Sequence, residues 1–322
     1  MTAPDERLLF GAADLGGTKI LTAAGDAQGN WLGQDYRPTE VERGPDGVIE
    51  RIVASLQASL AQAGGHAFHA IGVAAPGPID VERGLILEAP NLAGWRNVPL
   101  AARLSEALGC PAVLEIDANA AALGEYAAGA GQGARHMVYL TISTGIGGGL
   151  VLDGRLYRGA TGAAGVLGHM VIDANGPLCS CGRSGHLEAF ASGTAIAARG
   201  AEAVACGESP GIARQAAGGA VTATHVTAAA ADGDPAAAAI IGLAGQAIGI
   251  GLTNIVNVFN PDLIVIGGGT AKIGGPLLDP ALETMRTLAF KGPVEHVRVV
   301  HAALGDRAGA AGGLALAREL VS

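Results

Sequence analysis

Two short glycine-rich segments of the same form, set far apart in the chain, limit the fold more than any other feature of the sequence. The first spans Asp14–Lys19 (DLGGTK) and joins two apolar runs that read as strands. The second spans Ser143–Gly148 (STGIGG), follows the apolar run His136–Ile142 and leads into a further strand at Gly149–Leu152. A strand, glycine turn and strand that occur twice predict an internally duplicated α/β protein, with one hairpin in each of two lobes.

Both turns contain the residue types that a polyphosphate site needs. Glycine permits positive φ and lets backbone N–H groups approach an oxyanion closely. Two such turns facing each other across a cleft would clamp a polyphosphate from both sides, with Asp14 placed to hold magnesium through water. One turn alone reads equally well as an ordinary hairpin. The residues predicted to bind the nucleotide are Gly16, Gly17, Thr18, Lys19, Thr144 and Gly145, with a third glycine turn, Gly267, Gly268 and Gly269, on the adenosine side.

The bulk composition excludes several classes of partner. The chain has 322 residues, 49% of them hydrophobic, and a formal net charge of −9. The acidic balance argues against nucleic acid or an anionic membrane, since both require clustered Lys and Arg, but it leaves ATP open. The first residues, Met1–Arg7, are not followed by the apolar segment of a secretion signal, and four cysteines do not form a disulfide framework. We therefore expect a cytoplasmic protein.

One uncharged run, Ala236–Phe259, is long enough to be compared with a membrane span. It contains Gln246 and two asparagines, is rich in alanine and glycine, and ends in the turn-like Asn260-Pro261-Asp262. These features favour a buried helix that leads into a strand of a sheet.

Hydrophobic periodicity places the other main elements. A helix is predicted at about Asp46–Gly64, with Ile49, Ile52, Val53, Leu56 and Leu60 on one face. A buried strand at Pro111–Asp117 precedes an alanine-rich helix, Ala118–Ala128, which we expect to cross to the second lobe. The chain ends in a helix at Gly309–Leu320.

Four residues have the spacing of a metal site, His-x9-Cys-x-Cys-x4-His, and they are His169, Cys179, Cys181 and His186. Thiolates and imidazoles suit tetrahedral zinc, and four protein ligands with no open position indicate a structural ion. The alternative is two free thiols with two incidental histidines. Cys110 and Cys206 have no such partners and are interpreted as small core residues.

The segments Asp14–Lys19, Ser143–Gly149 and Gly168–Glu188 resemble the ROK family of repressors, open reading frames and sugar kinases, especially its bacterial glucokinases. The resemblance runs from about Leu8 to the last helix. It implies the duplicated actin-like, hexokinase-like ATPase fold, with two lobes and an interdomain cleft. It also implies a kinase that transfers a phosphoryl group from ATP to a sugar hydroxyl.

The resemblance assigns roles to individual residues. Asp117, at the end of a strand, is implied as the catalytic base, because transfer to an alcohol needs a carboxylate that accepts the hydroxyl proton. On the sequence alone, Asp117 could equally cap the helix that follows it, and the two roles are compatible. The residues implied to contact the sugar are Asn91, Asp117, His169 and Glu188.

Three positions depart from the family pattern. The family normally has Asn where this chain has Ile116, Glu where it has Val166, and cysteine at the fourth zinc position, His186. Each hydrogen bond lost to a buried sugar hydroxyl costs about 1–3 kcal/mol. Glucose specificity is therefore in doubt, and two hypotheses remain: a hexose kinase acting on the 6-hydroxyl, or a degenerate ROK protein that binds sugar or nucleotide without efficient turnover.

These inferences together predict a domain organisation and a set of partners. The smaller lobe comprises residues 1–117 with the last helix at about 305–322, and the larger lobe comprises residues 118–304. ATP, magnesium and a structural zinc are the expected cofactors, and a small sugar is the expected substrate. No nucleic-acid or membrane partner is expected. We expect a homo-oligomer, either a dimer or a tetramer. A ROK repressor is disfavoured because the first strand begins near Leu8, which leaves no room for an N-terminal helix-turn-helix domain, and because the net charge is acidic.

Overall fold

The computed structural model describes residues 8–89 and 91–321, so the segment expected to lack a secretion signal, Met1–Arg7, lies outside the described residues. The strands are β1 Phe10–Leu15, β2 Lys19–Gly25, β3 Trp31–Pro38, β4 Ala70–Ala75, β5 Ile79–Asp80, β6 Leu85–Glu88, β7 Arg96–Val98, β8 Ala112–Ile116, β9 Met137–Ile142, β10 Ile146–Leu152, β11 Arg155–Leu156, β12 Leu263–Gly267 and β13 Arg298–His301. The helices are α1 Gly44–Gln62, α2 Leu100–Leu108, α3 Asp117–Ala128, α4 Leu187–Ala191, α5 Gly193–Ala205, α6 Pro210–Ala216, α7 Ala223–Ala231, α8 Pro235–Phe259, α9 Gly275–Leu288, α10 Lys291–His296 and α11 Ala308–Glu319.

The chain separates into two compact units that differ in part from the expected lobes. Unit 1 comprises Met1–Ala134, Gly149–Gly165 and Ala302–Ser322, and unit 2 comprises Arg135–Gly148 and Val166–His301. Helix α3, expected to cross to the second lobe, belongs to unit 1. The reason is its close packing along α11, where a side chain at Gly124 or Gly312 would collide with the backbone of the facing helix.

The main sheet of unit 1 has the strand order β3-β2-β1-β4-β8. Strands β1, β2 and β3 are antiparallel, whereas β4 and β8 run parallel to β1. Helix α1 covers one face, with Ile49, Ile52, Leu56 and Leu60 buried as the periodicity predicts and Val53 only partly buried. Because β1, β4 and β8 are parallel, the residues that end β1 and follow β8 emerge at the same edge of the sheet.

The other face of this sheet is covered by α11, which consists largely of alanine and glycine. Ala310, Leu314 and Ala317 pack against apolar residues of β1, β2 and β4. Every residue from Ala308 to Ala317 is buried. The helix is therefore held firmly against the sheet, and the residues at its start have fixed positions.

In unit 2, β9 lies between β10 and β12, and β13 is at the edge. Strands β9, β12 and β13 are parallel, with Thr141 opposite Gly267, so the second and third glycine turns leave the same edge. Strand β10 continues past Gly148 into unit 1, where it pairs with β11.

Helix α8 of unit 2 matches the uncharged run Ala236–Phe259. By length and composition it is the one helix among the described residues that would span a membrane, but 61% of its most apolar window is buried inside the protein. It packs chiefly against α9 and α7. The prediction of a buried helix leading into a strand, β12, is confirmed.

Candidate functional site

The first glycine turn connects β1 to β2 and is closed by its own backbone. The Gly16 N–H donates to the Lys19 carbonyl at 2.8 Å, and the Thr39 hydroxyl donates to the Gly16 carbonyl at 2.7 Å. A side chain at Gly17 would lie only 3.2 Å from the Asn91 carbonyl oxygen. The structure thus brings the predicted phosphate turn against the segment that holds Asn91, a predicted sugar contact.

Three carboxylates and one ammonium group gather beside this turn. Burial, followed by the charge of Asp117, raises the pKa of Asp14 to about 7; Lys19 lowers it, and Asp306 raises it further. Burial also raises the pKa of Asp117, although a hydrogen bond from the Ala118 N–H at 2.7 Å acts in the opposite direction. The Asp117 side chain nevertheless remains accessible to solvent, so its carboxylate is partly desolvated without being sealed off.

Asp117 begins α3 but does not cap it. The residue at the N-cap is Ile116, and it makes no side-chain capping bond. A cap would accept from an N–H two or three residues further on, whereas among the described residues Asp117 accepts from its neighbour Ala118. The capping alternative raised by the sequence is therefore wrong.

A buried ion pair that the sequence did not reveal supports this corner. Glu115, fully buried, accepts from the Ile116 N–H and the Asn119 amide at 3.0 Å each. Its other oxygen lies 2.6 Å from Nε of Arg158, which is about one-third exposed. These bonds fix the turn from β8 into α3, where Asp117 stands. A charged residue inside a predicted buried strand was the available signal.

The second glycine turn, between β9 and β10, is held by neutral donors. The Ser143 N–H donates to the Gly145 carbonyl at 2.8 Å, and the Ser143 carbonyl accepts from the Gly193 N–H and the Thr270 hydroxyl at 2.7 and 3.0 Å. The Thr194 hydroxyl donates to the Thr144 carbonyl at 2.8 Å. The start of α5 and the segment that follows the third glycine turn therefore both support this turn.

The third glycine turn lies close by within unit 2. Gly268 has a φ of +94° and its Cα sits against the backbone of Ile142, which only glycine allows. A cavity of about 450 Å³ opens beside Thr144 and Gly145. Its lining also includes Glu188, Thr194 and Arg199.

The predicted metal ligands come together. The ligand atoms of His169, Cys179, Cys181 and His186 all lie within 4.8 Å of one another, and Cys181 Sγ is 3.3 Å from Nδ1 of His186. Tetrahedral zinc with N and S ligands places those atoms about 3.3–3.8 Å apart. The donor set suits this ion and the Cys181–His186 pair has this spacing, whereas separations near 4.8 Å would have to shorten by about 1 Å. Burial raises the pKa of the Cys179 thiol.

Glu188 connects the metal cluster to the second glycine turn. Its Oε2 accepts from the Ile146 N–H at 2.7 Å, and its Oε1 lies 3.7 Å from Cys179 Sγ and 3.8 Å from Nε2 of His169. The sequence placed Glu188 only as a sugar contact, because nothing in its spacing indicates a bond to a turn 42 residues away.

Two groups of predicted residues result, one in each unit. Unit 1 contains Asp14, Gly16, Gly17, Thr18, Lys19, Asn91 and Asp117. Unit 2 contains Thr144, Gly145, His169, Cys179, Cys181, His186, Glu188, Gly267, Gly268 and Gly269.

The two remaining cysteines differ from each other. Cys110 is buried as expected, whereas Cys206 is exposed, which corrects its interpretation as a core residue. Cys206 follows the last turn of α5, whose buried residues are Ala195, Ile196, Gly200 and Ala203. It therefore lies beyond the apolar face of that helix.

Comparison with known proteins shows what this chain and its fold are similar to. The model of the ROK family matches residues 10–320. A glucokinase from Thermotoga maritima is 36% identical over 309 residues, which cover 96% of each chain. The crystal structure of a ROK hexokinase from Thermus thermophilus superposes with a TM-score of 0.86 at 36% identity, covering 98% of this chain and 99% of that one. A ROK family glucokinase from Streptomyces griseus in complex with glucose and AMPPNP has a TM-score of 0.79 at 34% identity, covering 97% and 99%.

Proposed function

Because the chain belongs to the ROK family, we propose that it is a glucokinase-like enzyme that transfers a phosphoryl group from ATP to the 6-hydroxyl of a hexose. The observation that carries this proposal is the Asp117 carboxylate, which is accessible, has a raised pKa and stands at the same sheet edge as the first glycine turn. The relatives support it, since one is named a glucokinase and another was crystallised with glucose and AMPPNP.

Asp117 is the proposed general base. An ionised carboxylate whose pKa is raised accepts a proton more readily, and general-base catalysis typically contributes 10²–10⁴-fold to a rate. The sugar hydroxyl gives its proton to Asp117 as its oxygen attacks the γ-phosphorus. The bond from that phosphorus to the bridging oxygen breaks, and ADP leaves with the electron pair. Glu115, itself paired with Arg158, accepts from the Ile116 backbone and the Asn119 side chain and so supports the turn in which Asp117 lies.

The glycine turns are the proposed phosphate-binding elements. Backbone N–H groups of Gly17 and Gly145, with the Thr144 hydroxyl, would donate to phosphate oxygens. Gly16, whose N–H is bonded to the Lys19 carbonyl, would shape the turn that presents them. Asp14 would hold a hydrated magnesium ion, which neutralises phosphate charge when bound. The crowding of Asp14 with Asp117 and Asp306 supports this role, since a cation would relieve the carboxylate repulsion that, after burial, raises the pKa of Asp14.

Sugar recognition is proposed for Asn91, His169 and Glu188. Ile116 and Val166 offer no hydrogen bond, and Val166 has 49% of its surface exposed. A sugar hydroxyl buried against either side chain would lose about 1–3 kcal/mol, so glucose is not assumed to be the preferred hexose. The same two residues favour the second candidate function, a ROK protein with little turnover.

We also propose one structural zinc per chain, held by His169, Cys179, Cys181 and His186. Zinc supplies folding free energy by linking the loop that carries the cysteines to the start of α4. Elemental analysis of protein never exposed to chelator should find about one zinc per chain, and its absence would remove this proposal. We further propose that the protein is a cytoplasmic homo-oligomer. The net charge of −9 supports the proposal that it has no nucleic-acid partner.

The deciding experiment is an ADP-release assay on zinc-replete protein across glucose, amino, N-acetylated and deoxy sugars. Sugar-dependent ADP release supports a kinase and identifies its substrate. Binding of nucleotide without ADP release on any hexose would instead support the second candidate.

A further inference from the structure

Gly309, in the first turn of α11, stands directly against the Asp14 carboxylate. A Cβ atom on Gly309 would lie 2.6 Å from Oδ2, 2.7 Å from Cγ and 2.9 Å from Oδ1 of Asp14. Each of these distances is below the closest approach that a real Cβ makes to a heavy atom. Asp14 can therefore keep its present side-chain position only while residue 309 has no side chain.

Asp306, one turn earlier, pairs with the ammonium group of the same glycine turn. Lys19 Nζ lies 2.6 Å from Oδ2 of Asp306, whose side chain is 76% exposed. Such an exposed pair stabilises a fold by only about 0–1 kcal/mol. The pair therefore matters mainly because it holds the Lys19 side chain toward Asp306.

Gly309 cannot easily follow a displaced loop. Helix α11 is buried along Ala308–Ala317 between α3 and the main sheet of unit 1. Gly313 packs its Cα against the backbone of β4 at Gly72. The start of the helix is thus a rigid surface against which the Asp14 and Lys19 side chains are arranged.

We infer that Asp306 and Gly309 are positioning residues that keep the Asp14 carboxylate in place and free for a hydrated divalent cation. Gly309 leaves the space that the carboxylate occupies. Asp306 holds Lys19, which would otherwise pair with Asp14 and compete with the cation. The inference rests on the proposed function, because it concerns the magnesium that accompanies the nucleotide.

The first test is Gly309→Ala, with Gly242→Ala in α8 as the matched control. Alanine is favoured over glycine in a helix by about 1 kcal/mol, so helix propensity alone predicts equal or greater stability for both variants. Nothing lies within 4 Å of a Cβ at Gly242. Calorimetric titration of AMPPNP, with and without Mg²⁺, should show at least a tenfold loss of Mg²⁺-dependent affinity for Gly309→Ala and none for the control.

The second test uses Asp306→Asn and Asp306→Glu, exposed changes that do not threaten folding. We expect Asp306→Asn to raise the Mg²⁺ concentration needed for half-maximal AMPPNP affinity at least threefold, and Asp306→Glu to restore it. Wild-type behaviour in both Gly309→Ala and Asp306→Asn would overturn the inference and leave the kinase proposal intact. A wild-type chain that binds no nucleotide in a Mg²⁺-dependent way would overturn the proposed function, and this inference with it.

Discussion

The two glycine turns have similar backbones but very different surroundings. Each is closed by a 2.8 Å bond within the turn, from Gly16 to Lys19 in unit 1 and from Ser143 to Gly145 in unit 2. The first is surrounded by ionisable side chains, namely Asp14, Lys19, Asp117 and Asp306. The second is supported by neutral donors from the start of α5 and by Thr270.

This difference indicates a division of labour between the units. Charged groups beside the first turn can exchange a proton or hold a cation, whereas the second turn offers fixed dipoles that bind without titrating. Glu188 is the ionisable residue bonded to the second turn, and it leads to the metal cluster. We therefore expect changes in unit 1 to affect turnover and pH dependence, and changes in unit 2 to affect stability.

The largest effect is expected for Asp117→Asn. If the proton acceptor lies beside the first glycine turn, turnover should fall at least 100-fold, while AMPPNP affinity stays within about threefold of wild type. Steady-state ADP release and calorimetry measure the two quantities. Retention of more than about one-tenth of the wild-type rate would contradict general-base catalysis by Asp117.

The next largest effect is expected for Cys181→Ser in unit 2. Loss of a zinc ligand should lower the free energy of unfolding by several kcal/mol and the zinc content well below one per chain. Thermal unfolding and elemental analysis test this. Cys206→Ser is the matched control, because both cysteines are exposed and Cys206 lies outside the cluster. Equal stability of the two variants would mean that no zinc supports unit 2.

Asp14→Asn tests whether a carboxyl group beside the first glycine turn makes stability depend on pH. The folded chain raises the pKa of Asp14 from 3.8 to about 7, so ionisation of this carboxyl opposes folding. The penalty is absent below about pH 4, grows as the pH rises, and is complete above about pH 7. Without magnesium, the variant should match wild type near pH 4 and exceed its stability at pH 8. Three pKa units set an upper bound of about 4 kcal/mol, and partial solvent access reduces this to about 1–2 kcal/mol.

Denaturant unfolding at pH 4, 6 and 8 measures this difference. Thr144→Val is the matching change in the second glycine turn. It should change the free energy of unfolding by the same amount at all three pH values, since no ionisable side chain is altered. A difference between Asp14→Asn and wild type that does not depend on pH would remove the contrast between the turns.

The smallest effect is expected at the two apolar positions, one in each unit. Ile116→Asn with Val166→Glu should improve kcat/KM for glucose about tenfold, which corresponds to about 1.4 kcal/mol. The single variants and the double variant form a cycle, and two contacts to one ligand should act non-additively. Unchanged glucose kinetics in a folded, zinc-replete double variant would show that other residues determine the sugar.

Local patterns account for the parts of the fold that sequence reasoning predicted. The buried face of α1, the buried helix α8 and the strands around each glycine turn follow from spacing over a few residues, where hydrophobic period and glycine content act directly. The gathering of His169, Cys179, Cys181 and His186 was predicted for the same reason, since they lie within 18 positions of one another.

The assignment of α3 and the surroundings of Asp14 had no such local signal. Helix α3 belongs to unit 1 because its glycine face packs against α11, almost 190 residues later in the chain. Glu115 meets Arg158 across 43 positions, and Lys19 meets Asp306 across 287. Residue types on one strand do not indicate which distant side chain will face them.

The sequence by itself therefore determined the family, the α/β class, the two glycine hairpins and the spacing of the metal cluster, because each depends on residues that lie near one another in the chain. Only the tertiary structure decided that Gly309 and Asp306 border Asp14, that Glu115 and Arg158 brace the start of α3, and that Glu188 joins the second turn to the metal cluster. These contacts depend on how helices and sheets pack, and close packing brings together residues that share no local pattern.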